Sequence, residues 1–415
     1  MRILFIHQNI PGQFRHLIAT LCSEPGNQVW AITAKAANVR AKAVHARLNV
    51  ALYDVRRPAD AHQATHPWLS SLDAQLRRGQ VVAQVLRGMK ERAIGFDVIV
   101  AHPGWGEALF IKDVFPETPL LTYFEFFYSA DGADVGFDPE FSSSPTDGER
   151  LRIRNLVHLS ALNACDAGLT PTRWQLSRLP PEYRDRIAVV HEGVDTDVLK
   201  PDPAAIFAWQ GRTFAAGEPT VTYVARNLEP YRGFHVFMRA LPALLAACPT
   251  AQVLVVGGND VSYGTASRHG DGWRGQLEEE LGRAGSTLDP SRVHFLGKLP
   301  HRDYLRVLQV SAAHVYLTYP FVLSWSMLEA MAAGCMVVGS DTAPVTEVIE
   351  DGVNGRLVDF FDEDSLVRAI ADVLGDPEGN RRMREAARAT IVGKFDLKRR
   401  CLPDALALVR SMCQG

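Results

Sequence analysis

Residues 321–349 read FVLSWSMLEAMAAGCMVVGSDTAPVTEVI, and the local character changes three times within them. Ser324, Trp325 and Ser326 offer free N–H groups at the start of a helix that runs to about Ala333. Gly334 closes that helix as its C-cap, a short strand follows over 336–339, and another turn comes next. A helix, a glycine turn and a strand make half of a βαβ unit. One carboxylate, Glu329, stands in the apolar half, about one turn into the helix. A buried acid needs partners. Ligand hydroxyls serve if the side chain reaches back to the helix's amino end, and a neighbouring side chain serves if the helix is only core.

The same alternation extends outward. Strand-like runs fall at 3–7, 29–33, 97–101, 120–124, 167–170 and 187–190, and a second series at 220–224, 252–256, 293–296, 314–317, 336–339 and 356–358. Short β-rich runs alternating with helices mean parallel sheets, and two series mean two domains. The expected fold class is α/β, with two Rossmann-like, doubly wound domains facing across a cleft. Their expected extents are 1–198 and 199–395. The proline-bearing stretch 195–219 breaks the alternation and reads as the linker region. The last segment, 396–415, carries an apolar face of Leu402, Ala405, Leu406 and Val409 at helical spacing; this helix is expected to pack back on the N-terminal domain. A ligand in such a fold binds at the carboxyl ends of the strands.

Composition narrows the classes. The 415 residues are 47% hydrophobic and 22% charged, as in soluble globular proteins with sizeable cores. A net charge of −3 gives no electrostatic reason to coat nucleic acid, so no nucleic-acid partner is expected. The basic residues Arg77, Arg78, Arg87, Lys90 and Arg92 read as a solvated helix face. Six cysteines without a C-x-x-C pair point to reduced thiols in the cytoplasm. No apolar run approaches the ~20 residues that cross a bilayer. The usual nucleotide motifs fit poorly: VVGGNDVSYG lacks the G-x-G-x-x-G spacing, and FLGKLP has Arg292 where the first P-loop glycine belongs.

Within VTYVARNLEPYRGFHVFMRAL (221–241) a strand ends at Ala225, Arg226 follows, and Arg232 precedes Gly233 and an apolar-periodic helix. Two guanidiniums between a strand end and a helix start are placed to grip a diphosphate, or else to face solvent. In the N-terminal half, HQNIPGQFRHL puts Gly12 at a strand-to-helix turn. AHPGWGE (His102, Trp105, Glu107) and LLTYFEFFYSADG (Glu125, Phe127, Tyr128) are the other stretches with cleft-facing candidates. Asp195-Thr-Asp197 has the D-x-D pattern of a metal–diphosphate ligand, but its place in the linker approach favours a turn and cap role. No essential metal is expected.

The C-terminal half resembles the retaining glycosyltransferases of the GT-B fold, in the large family 4, over roughly 221–374. ARNLEPYRG resembles the strand-end Arg and later Lys that hold the donor pyrophosphate, with Arg232 replacing Lys. VHFLGKLPHRDYLRVLQVSAAHVYLTYP resembles the nucleobase-side loop, with Gly297, Lys298 and Leu299, and the strand after it. MLEAMAAGCMVVGSD resembles the segment whose Glu, here Glu329, contacts the donor ribose. APVTEVIEDGVNGRLV and, upstream, VVHEGVDTDVLKP resemble two further segments of the family. The resemblance implies a donor-binding C-terminal domain and an acceptor-binding N-terminal one. It also implies transfer of a sugar from a UDP- or GDP-type donor to a saccharide or lipid-linked hydroxyl, without a cofactor. Front-side attack would retain the anomeric configuration, a donor phosphate oxygen taking the acceptor proton.

Donor-site positions implied are Gly12, Arg226, Arg232, Gly297, Lys298, Leu299, Phe321, Ser324, Trp325, Ser326 and Glu329. Arg226, Arg232, Glu125 and His102 are the catalytic candidates. The family's histidine near the reacting sugar is replaced in its usual place by Glu125, with His102 on the loop before; His102 is either that group or a loop histidine without a role. Phe321 and Ser324 stand where the family commonly has a glutamate for the sugar hydroxyls and a glycine. Such a site either holds its sugar by other groups or belongs to a protein that has lost catalysis and serves as a binding subunit; a nucleotide-sugar epimerase of similar architecture is a third reading. The expected location is the cytoplasm, with peripheral contact at the membrane's inner face.

Overall fold

The computed structural model describes residues 1–55, 66–141 and 143–413, which form two compact units. The first unit spans 1–193 and takes in the C-terminal segment from Lys398; the second spans Val194–Leu397. Each is an α/β unit built on a parallel sheet.

In the first unit, β1 (Arg2–Ile6), β2 (Gln28–Ala34), β3 (Asn49–Tyr53), β4 (Val98–Ala101), β5 (Leu120–Tyr123), β6 (Ala167–Thr170) and β7 (Ile187–Val189) pair in the order β3-β2-β1-β4-β5-β6-β7. All these pairs are parallel. The central strand is buried on both faces: Ile3 and Phe5 enter one core, Leu4 and Ile6 the other. The sequence runs anticipate these strands except β3, an edge strand whose one buried residue is Tyr53.

The second unit opens with the antiparallel pair β8 (Ile206–Trp209) and β9 (Arg212–Ala215). Its sheet contains β10 (Thr220–Asn227), β11 (Gln252–Gly258), β12 (Val293–Gly297), β13 (Ala313–Tyr316), β14 (Met336–Ser340) and β15 (Arg356–Val358), in the order β12-β11-β10-β13-β14-β15. The 195–219 stretch is therefore not a plain linker. Gln210 and Gly211 both take positive φ (48° and 78°), as a tight hairpin requires. Phe207 opposes Phe214, and both pack with Leu254, Val256 and Leu296.

The division between units also differs from the expected 198/199 and 395/396. The outgoing and returning chain segments are tied to each other inside the second unit. Val194 N–H donates to Phe395 O at 2.8 Å, Leu397 N–H to Val194 O at 2.9 Å, and the Thr196 hydroxyl to Asp396. After this crossing, the final helix Leu402–Ser411 buries Leu406 and Val409 against Leu17, Ile18 and Leu21 of the first unit, and Arg410 pairs with Glu24 at 2.6 Å.

Each sheet has a topological switch point, between β1 and β4 in the first unit and between β10 and β13 in the second. There, neighbouring strands send their connections to opposite faces, which leaves a crevice at the carboxyl ends. Gly233, just past the end of β10, makes the second crevice possible. Its φ is +67°, and a Cβ there would stand 2.3 Å from Leu317 Cβ, beyond the end of β13. Gly233→Ala is expected to lower the unfolding free energy by about 2 kcal/mol or more through clash and strain, read as a fall in the urea midpoint.

Candidate functional site

The switch point of the second unit carries a buried cation. Arg232 leaves the short turn Pro230–Arg232 and is 8% exposed. Its Nη1 lies 2.7 Å from Thr318 Oγ1, 3.0 Å from Val322 O and 3.3 Å from the Tyr316 hydroxyl, all on or after β13. The guanidinium thus bridges the two strands that part at the crevice. Its partners are neutral oxygens, and among the described residues no carboxylate pairs with it and its Nε and Nη2 make no hydrogen bond. A buried charge needs a counter-charge; here an anionic ligand would supply one. Arg226, at the end of β10, is exposed, and among the described residues it has no ion-pair partner.

Beside Arg232 stands a group of rings. The Tyr263 ring lies 5.5 Å from the guanidinium carbon, Phe321 lies 5.0 Å from Tyr263 and 5.5 Å edge-on to Tyr231, and Tyr231 lies 4.8 Å from Tyr319. Phe321 is 6% exposed, so it supports this group from within more than it walls an open pocket. Lys298, past the end of β12, pairs with Asp260 at 2.8 Å in solvent. Gly297 takes φ +65°, and Leu299 packs with the Phe207–Phe214 cluster.

The helix from Trp325 to Ala333 ends at Gly334 (φ +85°), as its sequence indicates. Its N-terminus corrects one expectation: the Ser324 and Ser326 amides are not free. Ser324 N–H donates to the Tyr316 hydroxyl at 2.7 Å, and Ser326 N–H to Ser324 Oγ at 3.4 Å, because serine at the N-cap closes on its own helix. Trp325 remains 47% exposed. Glu329 accepts a hydrogen bond from the Tyr304 hydroxyl. Burial pushes its carboxyl above the usual carboxylate range, against the opposing pull of Tyr304 and His301. Tyr304 lies on the helix His301–Gln309, and nothing in its local sequence marks it.

The switch point of the first unit gathers His7 after β1, His102 after β4 and Glu125 after β5. His102 Nδ1 accepts the Gly104 N–H at 3.1 Å, which leaves the proton on Nε2, 3.4 Å from Glu125 Oε2. Gln13 Nε2 donates to Glu125 Oε1 at 3.3 Å, and Gln175 to the Glu125 carbonyl. Burial raises the Glu125 carboxyl, but the neighbouring His102, with His7 and Gln13, outweighs it and holds it below the usual range. With 37% of its side chain exposed, this carboxylate is a ready acceptor for ligand hydroxyls.

His7 accepts the Asn9 N–H at 2.9 Å and meets the His102 ring edge-on at 5.0 Å. Gly12 (φ +47°) closes over it, since a Cβ would lie 3.0 Å from His7 Cε1. Glu107 is 1% exposed, accepts from the Tyr53 hydroxyl and lies 3.8 Å from Arg78. Tyr128 is held by Asn155 and by Arg154 over its ring at 3.7 Å. Asp195 accepts the Asp197 and Val198 amides at 3.2 and 3.3 Å, a turn.

Residues 25–199 match the family model described as "Glycosyl transferase family 4 group", and residues 208–390 match "Glycosyl transferases group 1". The chain belongs to the group 1 glycosyltransferases of family 4, and its fold class is GT-B. It is 29% identical over 211 residues to a phosphatidyl-myo-inositol mannosyltransferase of Mycolicibacterium smegmatis, covering 50% of this chain and 46% of the relative. It is 32% identical over 222 residues to a D-inositol 3-phosphate glycosyltransferase of Nocardia farcinica, covering 53% and 46%. The chain thus spans about half the length of these curated relatives. Among solved structures it resembles Anabaena HepE in complex with UDP (TM-score 0.69, 19% identity, 99% of this chain and 100% of that one). It also resembles the sucrose-phosphate synthase of Thermosynechococcus elongatus (TM-score 0.70, 17% identity, 100% of both chains). Among the described residues, no helix is long and apolar enough to cross a membrane.

His7 is pushed down to about 3, chiefly by burial and then by the charge of His102, and His158 to about 3, again chiefly by burial. Both are neutral in the folded chain near pH 7, and below about 6.5 the unfolded chain protonates them first. Each therefore removes roughly 1.4 kcal/mol of stability per pH unit between about 6.5 and 3. His158→Phe is expected to flatten the acid slope of urea-unfolding free energy by that amount.

Proposed function

We propose that the protein transfers a sugar from a nucleoside diphosphate sugar to an acceptor hydroxyl with retention of configuration and without an essential metal. The observation that carries this reading is Arg232, a buried guanidinium at a switch point with no carboxylate partner among the described residues. A donor diphosphate supplies the missing negative charge, and exposed Arg226 meets it from the strand end. Departure of the nucleoside diphosphate builds charge on its phosphate oxygens, and fixed cations stabilise that charge as it develops. Glu329 accepts the donor's ribose hydroxyls while Tyr304 holds its carboxylate in place.

In the first unit the Glu125 carboxylate, oriented by His102 and Gln13, takes hydroxyls of the reacting sugars. The relatives named for phosphatidyl-myo-inositol and D-inositol 3-phosphate support an acceptor with sugar-like hydroxyls, free or lipid-linked. UDP bound to the HepE neighbour supports a nucleoside diphosphate donor of UDP type, and a relative named as GDP-mannose-dependent supports the GDP type. A lipid-linked acceptor would bring the chain to a membrane surface.

Titration of UDP and GDP into the purified protein, followed by a donor-sugar screen with inositol-type acceptors, tests the reading. Arg226→Ala is expected to weaken nucleoside diphosphate binding about tenfold or more with the fold unchanged. Arg232→Ala, which removes the buried charge, is expected to bind the same ligand weakly and nearly abolish turnover. Unchanged kinetics in the double variant would overturn the assignment. Glu329→Gln is expected to raise the donor KM about tenfold, a loss of about 1.5 kcal/mol, with kcat less affected.

A further inference from the structure

Glu229 and Arg232 stand three residues apart, one acidic and one basic, at the same switch point, yet among the described residues they form no ion pair. Glu229 is 1% exposed, and its carboxylate is taken up by backbone amides. Its Oε2 accepts three successive backbone N–H groups, those of Ser262, Tyr263 and Gly264, each at 3.2 Å. Asn227 adds a bond from Nδ2 to Ser262 Oγ at 2.8 Å. The end of β10 thus clamps the segment that follows β11. Gly264 suits the clamp, since a Cβ there would already touch the Tyr231 ring at 3.1 Å. Three amide dipoles satisfy the carboxylate, so it does not need the guanidinium.

Two consequences follow for Arg232. It forms no ion pair with the acid nearest in sequence, which acts on it only as a nearby negative charge. The Tyr263 ring, fixed through its own backbone amide, is laid beside the guanidinium at 5.5 Å and backed by Phe321 at 5.0 Å. That ring shields one side of the charge from water and adds a cation–π contact. It also gives Phe321 a use at a position where a polar side chain could not support Tyr263 in the same way.

We propose that Glu229 is a positioning residue for the donor site: it holds the 262–264 segment so that Tyr263 covers Arg232, and it acts on the diphosphate only through them. This deepens the transferase reading and rests on it for the ligand. Hydrogen–deuterium exchange on the ligand-free protein tests the clamp, and titration with UDP and with inorganic pyrophosphate tests its effect. In Glu229→Ala the amides of 262–264 are expected to exchange at least tenfold faster, while Glu229→Gln, which keeps an acceptor oxygen of the same reach, retains most of the protection.

UDP and pyrophosphate are expected to bind about tenfold more weakly to Glu229→Ala. Tyr263→Ala should reproduce that loss, and the double variant should be no weaker than either single one, as for two residues acting through one contact. Unchanged exchange at 262–264, or additive losses in the double variant, would overturn the proposal. If the wild type binds neither UDP nor pyrophosphate, the diphosphate site falls and the positioning role with it, and the ligand-free exchange result shows which link failed.

Discussion

A guanidinium that is buried but bonded only to neutral oxygens is the constraint around which the second unit is arranged. Arg232 can occupy the gap between β10 and β13 because Gly233 lets the chain turn past Leu317 without a side chain. Thr318, Val322 and Tyr316 fix one nitrogen and leave the rest of the fork without a partner among the described residues. Burying such a charge is unfavourable in isolation, and an anion arriving at the crevice relieves that cost. Around it the Tyr231, Tyr263 and Phe321 rings lower the local dielectric, which strengthens the attraction for a phosphate group.

The first unit uses the same geometry with different chemistry. Its switch point gathers imidazoles and a carboxylate instead of arginines, each strand end contributing one group. Backbone amides from Asn9 and Gly104 fix the tautomers of His7 and His102, so the proton of His102 faces Glu125. The His7 imidazole, kept neutral by burial near an ionised carboxylate, suits hydrogen bonding to hydroxyls.

Several features of the chain follow from local chemistry and are legible in its residues. The twelve β-rich runs fall on twelve strands of the two parallel sheets, because strands buried on both faces are written as continuous apolar runs. Gly334 as a C-cap, the helix before it and the apolar face of the last helix are equally local signals. Edge strand β3 was not legible, since it buries Tyr53 alone. The β8–β9 hairpin did leave a mark, Gln210-Gly211 between aromatic residues, which the prolines of that region concealed.

What the residues marked without the fold was a set of candidates: Arg226 and Arg232 at a strand end and helix start, and one carboxylate, Glu329, within an apolar helix. Only tertiary structure decided their partners, because those partners come from other strands and helices. Tyr304 reaches Glu329 from 25 positions away, Thr318 reaches Arg232 from 86, and Glu229 meets the 262–264 amides from 33 to 35. The same holds for Gln13 and Glu125, which are 112 positions apart. Hydrogen bonds and charges act over a few ångströms in space, and sequence separation carries no record of that distance.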